Sequence, residues 1–203
     1  MYQLPISTII NKPLYKKAVY EKFNLKTIER ERFDADVSKM TLVARISTAT
    51  IPALAEGEKI KGFYVLQVTL KRKNYDTKNI LLLQKLIPQQ IIFALQYEEE
   101  TQLCIFHTLL QQSEWKPTEE TIIPLQGLSL DEVWNNIVAT IGNLDCHSEE
   151  TLEEQILNRE QHEKLLRQIE SLEKRCRAEK QTRKKYELHQ EILKLKEEIK
   201  YAK

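Results

Sequence analysis

The side chains best suited to nucleophilic or metal chemistry in this 203-residue sequence are three cysteines and four histidines. Cys104 and His107 stand three apart on a stretch that alternates like a strand. They should therefore face opposite ways, and an imidazole on the far side of a sheet cannot activate a thiol. Cys104 reads as a core residue. Cys146 and His147 are adjacent, but a structural zinc site needs four such ligands at close spacing, and no second pair follows; His162 and His189 are isolated. Gly57, Gly62, Gly127 and Gly142 are too scattered for the clustered backbone N–H groups of a phosphate-binding loop. One stretch, Val68-Thr69-Leu70-Lys71, carries part of a nuclease pattern in which a carboxylate holds Mg²⁺ and a lysine steadies the attacking water. The lysine is there, but Thr69 stands where the acid would be. Glu98, Glu99 and Glu100 read as a solvated turn rather than a metal cage. The residues thus point to no catalytic group, no metal and no cofactor, and the reading leans away from an enzyme.

The elements that would carry these residues change character near position 145. All four glycines, all six prolines and both tryptophans precede it, whereas the remainder is Glu, Lys, Arg, Gln and Leu, which favour helix. The expectation is an α+β domain over 1–145 and a C-terminal coiled-coil helix over 149–203, capped by Ser148. In the first part, helices are predicted over Pro13–Phe23, Ile28–Ser38, Thr77–Ile87 and from Ser129 to about Gly142. Strands are predicted over Met40–Ser47 and Gly62–Lys73, in a hairpin of Gln90–Glu98 with Thr101–Leu110, and at an edge over Glu119–Pro124. Helices mixed with a hairpin predict a mixed or antiparallel sheet with packed helices.

A single helix of some fifty residues would be roughly 75 Å long and needs a partner along its length. A seven-residue apolar seam supplies one: Leu165, Ile169, Leu172 and Cys176, then Leu188, Ile192, Leu195 and Ile199, which predict an oligomer interface. The two halves are nine residues out of step between 176 and 185. The segment therefore either continues as one helix through a discontinuity or folds back as a hairpin. With no glycine or proline to break it, the continuous helix is the expectation. Across the discontinuity run Arg177, Lys180, Arg183, Lys184 and Lys185, facing the single acid Glu179. Such a cluster could neutralise nucleic-acid phosphates or pair with glutamates of a partner helix. Lys12, Lys16, Lys17 and Lys22 also interleave with Tyr15, Tyr20 and Phe23. That pattern suits either nucleic acid or an amphipathic helix with its aromatics inward.

Thirty-one basic residues balance thirty acidic ones, so no global charge draws the chain to nucleic acid or membrane. The start of the chain does not read as a signal peptide, and no apolar run approaches the roughly twenty residues of a membrane span. With an odd number of dispersed cysteines, a cytoplasmic setting is expected.

Leu4-Pro5-Ile6-Ser7-Thr8, Asn11-Lys12-Pro13-Leu14-Tyr15-Lys16-Lys17 and Glu31-Arg32-Phe33-Asp34-Ala35-Asp36 resemble the opening of bacterial proteins catalogued as domain of unknown function 4391. Ile87-Pro88-Gln89-Gln90-Ile91-Ile92-Phe93-Ala94-Leu95, Ser113-Glu114-Trp115, Gln126-Gly127-Leu128-Ser129-Leu130-Asp131-Glu132-Val133 and Glu179–His189 extend the resemblance over nearly the whole chain. The resemblance implies no activity. It implies a setting beside helicases and DNA methyltransferases in restriction or phage-defence clusters, and an acid where this chain has Thr69. The function expected is a non-catalytic accessory protein that binds such a helicase or methyltransferase and forms a homo-oligomer through the coiled coil. A nucleic-acid-binding component and a Mg²⁺-dependent nuclease using Lys71 are the alternatives.

Overall fold

The computed structural model describes residues 1–145 and 150–201. The chain divides into two compact units, Met1–Ser148 and Glu149–Lys203. In the first, a short 3-10 turn (Ile6–Thr8) leads through β1 (Ile9–Leu14), α1 (Lys16–Phe23), α2 (Thr27–Asp36), β2 (Val37–Ile46), β3 (Phe63–Leu70) and α3 (Thr77–Leu86). It continues through β4 (Gln90–Tyr97), β5 (Glu100–His107), β6 (Leu109–Gln112), β7 (Lys116–Pro117) and α4 (Leu130–Gly142). The strands form one mixed sheet in the order β1-β2-β3-β4-β5-β6, with β7 also pairing with β5. Among the described strands only β3 and β4 pair in parallel, joined by the α3 crossover; β4 and β5 form the expected antiparallel hairpin.

Strand alternation assigns the two faces of the sheet. Leu66, Val68 and Leu70 of β3, with Ile91, Phe93 and Leu95 of β4, pack with Val19 of α1, Phe33 of α2 and Ile80 and Leu83 of α3. Phe63 points the other way and meets Trp134 of α4, ring centroids 5.3 Å apart. Cys104 is fully buried in the first of these layers.

Two expected elements differ. Pro13 does not open a helix: it lies in β1, opposite Thr41, and the helix begins only at Lys16. A strand at the sheet edge needs no N–H from a proline on its open side, so the position suits it. Nor is Glu119–Pro124 a strand; β6 and β7 occupy that edge instead, and Ile123 bonds through its N–H to the Tyr2 carbonyl at 3.2 Å.

Much of the fold is tied by carboxylates. Asp36, at the end of α2, is buried. Its Oδ1 accepts from Arg72 Nε at 2.5 Å, and its Oδ2 accepts from the Asp76 N–H at 2.9 Å and Asn79 Nδ2 at 2.8 Å. Its carbonyl accepts the Lys71 N–H at 2.7 Å. Asp34 accepts Lys16 Nζ and the Tyr20 hydroxyl, each at 2.6 Å, which joins α1 to α2. Partial desolvation raises the Asp34 carboxyl, but these two hydrogen bonds and the charges of Lys16 and Lys71 outweigh it and hold the pKa below the usual range. Asp131, in the first turn of α4, accepts the N–H groups of Glu58, Lys59 and Ile60 and pins that loop. Ahead of it Gly127 has φ +140°, and a Cβ there would lie 2.8 Å from the Glu132 Cβ and 2.9 Å from the Val133 nitrogen, so only glycine fits.

Replacing Asp36 by Ala strands the Asn79 amide and the Asp76 N–H in a dry site, and should cost about 3 kcal/mol in urea unfolding. Arg72→Ala, at a half-exposed partner, should cost no more than about 1 kcal/mol; equal losses would refute the buried clamp. Because the folded pKa of Asp34 is depressed, its contribution is complete above the unfolded value of about 3.9 and fades as pH falls through the folded one. Asp34→Asn should therefore flatten the stability profile on the acid side of that value.

Candidate functional site

Two places could carry function: the end of β3, where Lys71 lies, and the C-terminal unit. At the strand end the Thr69 hydroxyl is buried without a hydrogen-bond partner. The acids around it are committed. Asp36 is taken up by Arg72, Asp76 and Asn79, Asp34 by Lys16 and Tyr20, and Glu100 by Lys73, which also lies 5.3 Å above the Trp115 ring. A carboxylate holding a metal ion must present free lone pairs, and Asp36 has protein donors on both oxygens. Among the described residues no group of three His, Cys, Asp or Glu is placed to hold a metal. The Cys146–His147 pair, like the expected Ser148 cap, lies outside the described residues.

Burial pushes the Cys104 thiol up to about 12, overriding its contacts with Tyr75 at 3.7 Å and Gln112 at 3.9 Å. It is protonated at neutral pH and no nucleophile. A cavity of about 270 Å³ sits beside β5 and α4, lined among others by Thr101, Ser113, Thr121 and Thr140. Its hydroxyls are used within the fold. Thr101 bonds Thr118, Ser113 accepts the Leu103 N–H, and Thr121 and Thr140 donate to the Pro117 and Asn136 carbonyls.

Of the aromatic and basic residues near the start of the chain, Lys16, Lys17, Tyr20 and Phe23 are engaged within the first unit, whereas Lys12 and Tyr15 are exposed. Lys12 lies on β1; Lys16 pairs with Asp34 and Lys17 with Glu21. The Tyr20 ring stands edge-on to Phe33, with centroids 6.1 Å apart, beneath the Arg30 guanidinium, and Phe23 packs on the core. Tyr15 alone of the three aromatics is widely exposed.

The C-terminal unit is not one continuous helix. α5 (Leu152–Ala178) opens with a capping box, Thr151 and Glu154 each bonding the other's backbone N–H. It ends at Glu179, whose backbone is extended (φ −74°, ψ 128°), and α6 (Thr182–Tyr201) begins after a turn. The Glu179 carboxylate accepts the Gln181 N–H at 2.9 Å and the Gln181 carbonyl accepts the Lys185 N–H at 2.9 Å, so polar side and main chains make the turn without glycine. The nine-residue break in the seam is where the chain reverses. Cys176 Sγ meets the Lys185 carbonyl at 3.6 Å, and Lys196 pairs with Glu173 at 2.7 Å.

Folding back brings the halves of the seam together. Ile169, Leu172 and Ile192 are buried, with Cys176, Leu188 and Leu195 packed against them. These are six of the eight residues the seam selected. Leu165 is half-buried on α5, and Ile199 lies on the last turn of α6, its side chain outside the described residues.

The reversal also gathers charge. Seven basic side chains and one acid lie between positions 174 and 185, and all now flank one turn. Lys174 pairs with Glu170, Arg177 with Glu173 at 3.8 Å, and Arg183 with Glu187. Among the described residues, Arg175, Lys180, Lys184 and Lys185 make no such ion pair and are exposed. The first turn of α6 contains no acid and three cations at the positive end of the helix dipole, an arrangement that costs stability unless an anion sits there.

Beside this tip, a groove of about 290 Å³ runs between the two helices. Cys176, Ile192 and Leu193 are on its apolar side, and Arg177, Lys185 and His189 are on its polar side. Its one acid, Glu173, is engaged by Lys196, and the hydrogen bond and charge of that lysine lower its carboxyl pKa. Tyr186 is 65% exposed, one position from Lys185. The sequence reading selected the cations but not Tyr186, His189 or Lys196, because the groove exists only once 176 lies against 185.

Ile169→Asp with Ile192→Asp should abolish most of the far-UV helical signal of α5 and α6, while the near-UV signal of Trp115 and Trp134 persists. Leu166→Asp, at a half-exposed position, is the control. A double variant with undiminished helicity would refute the closed hairpin.

A family model described as Domain of unknown function (DUF4391) matches residues 3–199. No curated protein and no solved structure matches the chain.

Proposed function

The chain belongs to the family described as Domain of unknown function (DUF4391), and we propose that it is a non-catalytic accessory protein that contacts nucleic acid through the tip of its C-terminal helical hairpin. One observation carries this reading: four exposed cations without an ion-pair partner among the described residues surround a single turn, next to three already paired. Concentrated positive charge is what a polyphosphate backbone selects, because each neutralised phosphate releases a counterion. Arg175 and Arg177 suit the negative end of α5, whereas Arg183, Lys184 and Lys185 stand at the positive end of α6, where an anionic partner would offset their cost.

The seam is a weaker candidate for the principal contact, since its apolar residues already cover one another within one chain. The accessory role, with a helicase or DNA methyltransferase as the protein partner, draws its support from the setting that the family resemblance implies. In that arrangement the α+β unit docks the partner and the hairpin tip reaches the nucleic acid.

The test is fluorescence anisotropy of the full chain with labelled DNA across a salt series. Four phosphate contacts predict log Kd rising with log[salt] at a slope of about 3 to 4. Reversing Lys180, Lys184 and Lys185 to Glu should cost at least about tenfold in affinity at low salt and cut the slope by about 0.9 for each phosphate no longer neutralised. Glutamate near the start of α6 favours the helix dipole, so the weaker binding would not come from unfolding. Unchanged binding in this variant would remove the tip as the site.

A further inference from the structure

We propose that the hairpin tip takes single-stranded rather than duplex nucleic acid, with one base in the groove between α5 and α6 and another against the Tyr186 ring. The inference rests on the nucleic-acid reading above and specifies its substrate.

Phosphate contacts alone do not distinguish a duplex from a single strand, because both present a line of negative charge. What distinguishes them is access to the faces of the bases. In a duplex these are stacked and paired, and reaching one means extruding it. In a single strand each base can lie on an aromatic or apolar surface while its phosphates meet cations. The tip offers that combination within a few residues. Tyr186 is exposed with Lys185 beside it and Arg183 one turn before it. Seven residues on, Leu193 shares its helix face and is 43% exposed where it enters the groove.

The groove has the same two-part character. Cys176, Ile192 and Leu193 give an apolar surface, and Arg177 and Lys185 stand at its margin. Its volume of about 290 Å³ gives room for a planar ring with part of its sugar. The Glu173 carboxylate, which would repel a phosphate, is covered by Lys196 at 2.7 Å and Arg177 at 3.8 Å. An acidic peptide would meet the cations equally well but would use the ring and the groove only if it also carried apolar side chains at matching positions. A second copy of the chain would bring the same positive charge to its own tip. A single strand uses both features.

The experiment titrates the full chain with three labelled probes of equal length across a salt series: an oligodeoxyuridylate, the matching oligouridylate and a DNA duplex. The proposal expects both single strands to bind more tightly than the duplex. Tyr186→Ala should weaken single-strand binding about five- to hundredfold while leaving duplex affinity and the salt slope unchanged. Tyr186→Phe should keep wild-type affinity, and Leu193→Gln should weaken the single strands in the same sense. Far-UV circular dichroism checks that the exposed substitutions leave the hairpin folded. A gap between the two single strands would identify the sugar the site prefers, with the proposal intact. Equal affinity for single strand and duplex, or a Tyr186→Ala variant that binds as wild type, overturns the proposal. If the Lys180, Lys184 and Lys185 reversal still abolishes binding in that case, the phosphate-contact reading stands. No binding of any probe by the wild type would overturn both.

Discussion

Asp36 is the one charged side chain buried among the described residues, and the order of the first unit depends on what it holds. Its two oxygens gather Arg72 and Asn79 side chains and the Asp76 N–H, while its carbonyl takes the Lys71 N–H. The end of α2, the end of β3 and the start of α3 thus meet at one carboxylate. That junction sets where β3 stops and α3 leaves, and so where the crossover returns the chain to lie parallel beside β3 as β4. A buried carboxylate is costly to desolvate and needs hydrogen-bond donors to offset that cost. The three donors on Asp36 compete with any metal ion for its lone pairs. Stability and catalysis compete for the same lone pairs at this strand end, and here stability has them.

The stretches behind the family resemblance acquire physical roles from these contacts. Within Glu31–Asp36, Phe33 fills the core, Asp34 joins α1 through Lys16 and Tyr20, and Asp36 forms the clamp. Within Gln126–Val133, Gly127 supplies a backbone conformation closed to other residues, Ser129 caps α4 and Asp131 pins the loop before β3. These motifs specify a scaffold, and their polar groups are consumed in building it.

The hairpin follows the opposite logic. Its seam residues cover one another, while four cations at its tip have no ion-pair partner among the described residues. Cations at the tip stand on the positive end of α6 with few acids near them. Arrangements that cost stability without a local return are commonly those kept for a partner, and an anionic one would relieve the strain on both counts.

Much of this was legible in the residues themselves. Alternation in Phe63–Leu70 and the Glu98–Glu100 turn placed the central strand and the β4–β5 hairpin; Ser129 and Gly142 bounded α4; the composition break near 145 separated the two units. Two kinds of information were not local. Pro13 favours the first turn of a helix by its own geometry, and only the open edge of a sheet made a strand acceptable to it. The segment 177–185 has neither glycine nor proline, so its intrinsic preference is to continue as helix. What reverses it is the burial of Ile169, Leu172 and Ile192 against one another, with the Glu179 and Gln181 bonds closing the turn. The sequence by itself determined which residues are apolar, which are charged and at what spacing. Only the tertiary structure decided that the seam would meet itself and that its cations would share one tip, because contacts between residues far apart in the chain, not local propensity, choose between a continued helix and a folded-back one.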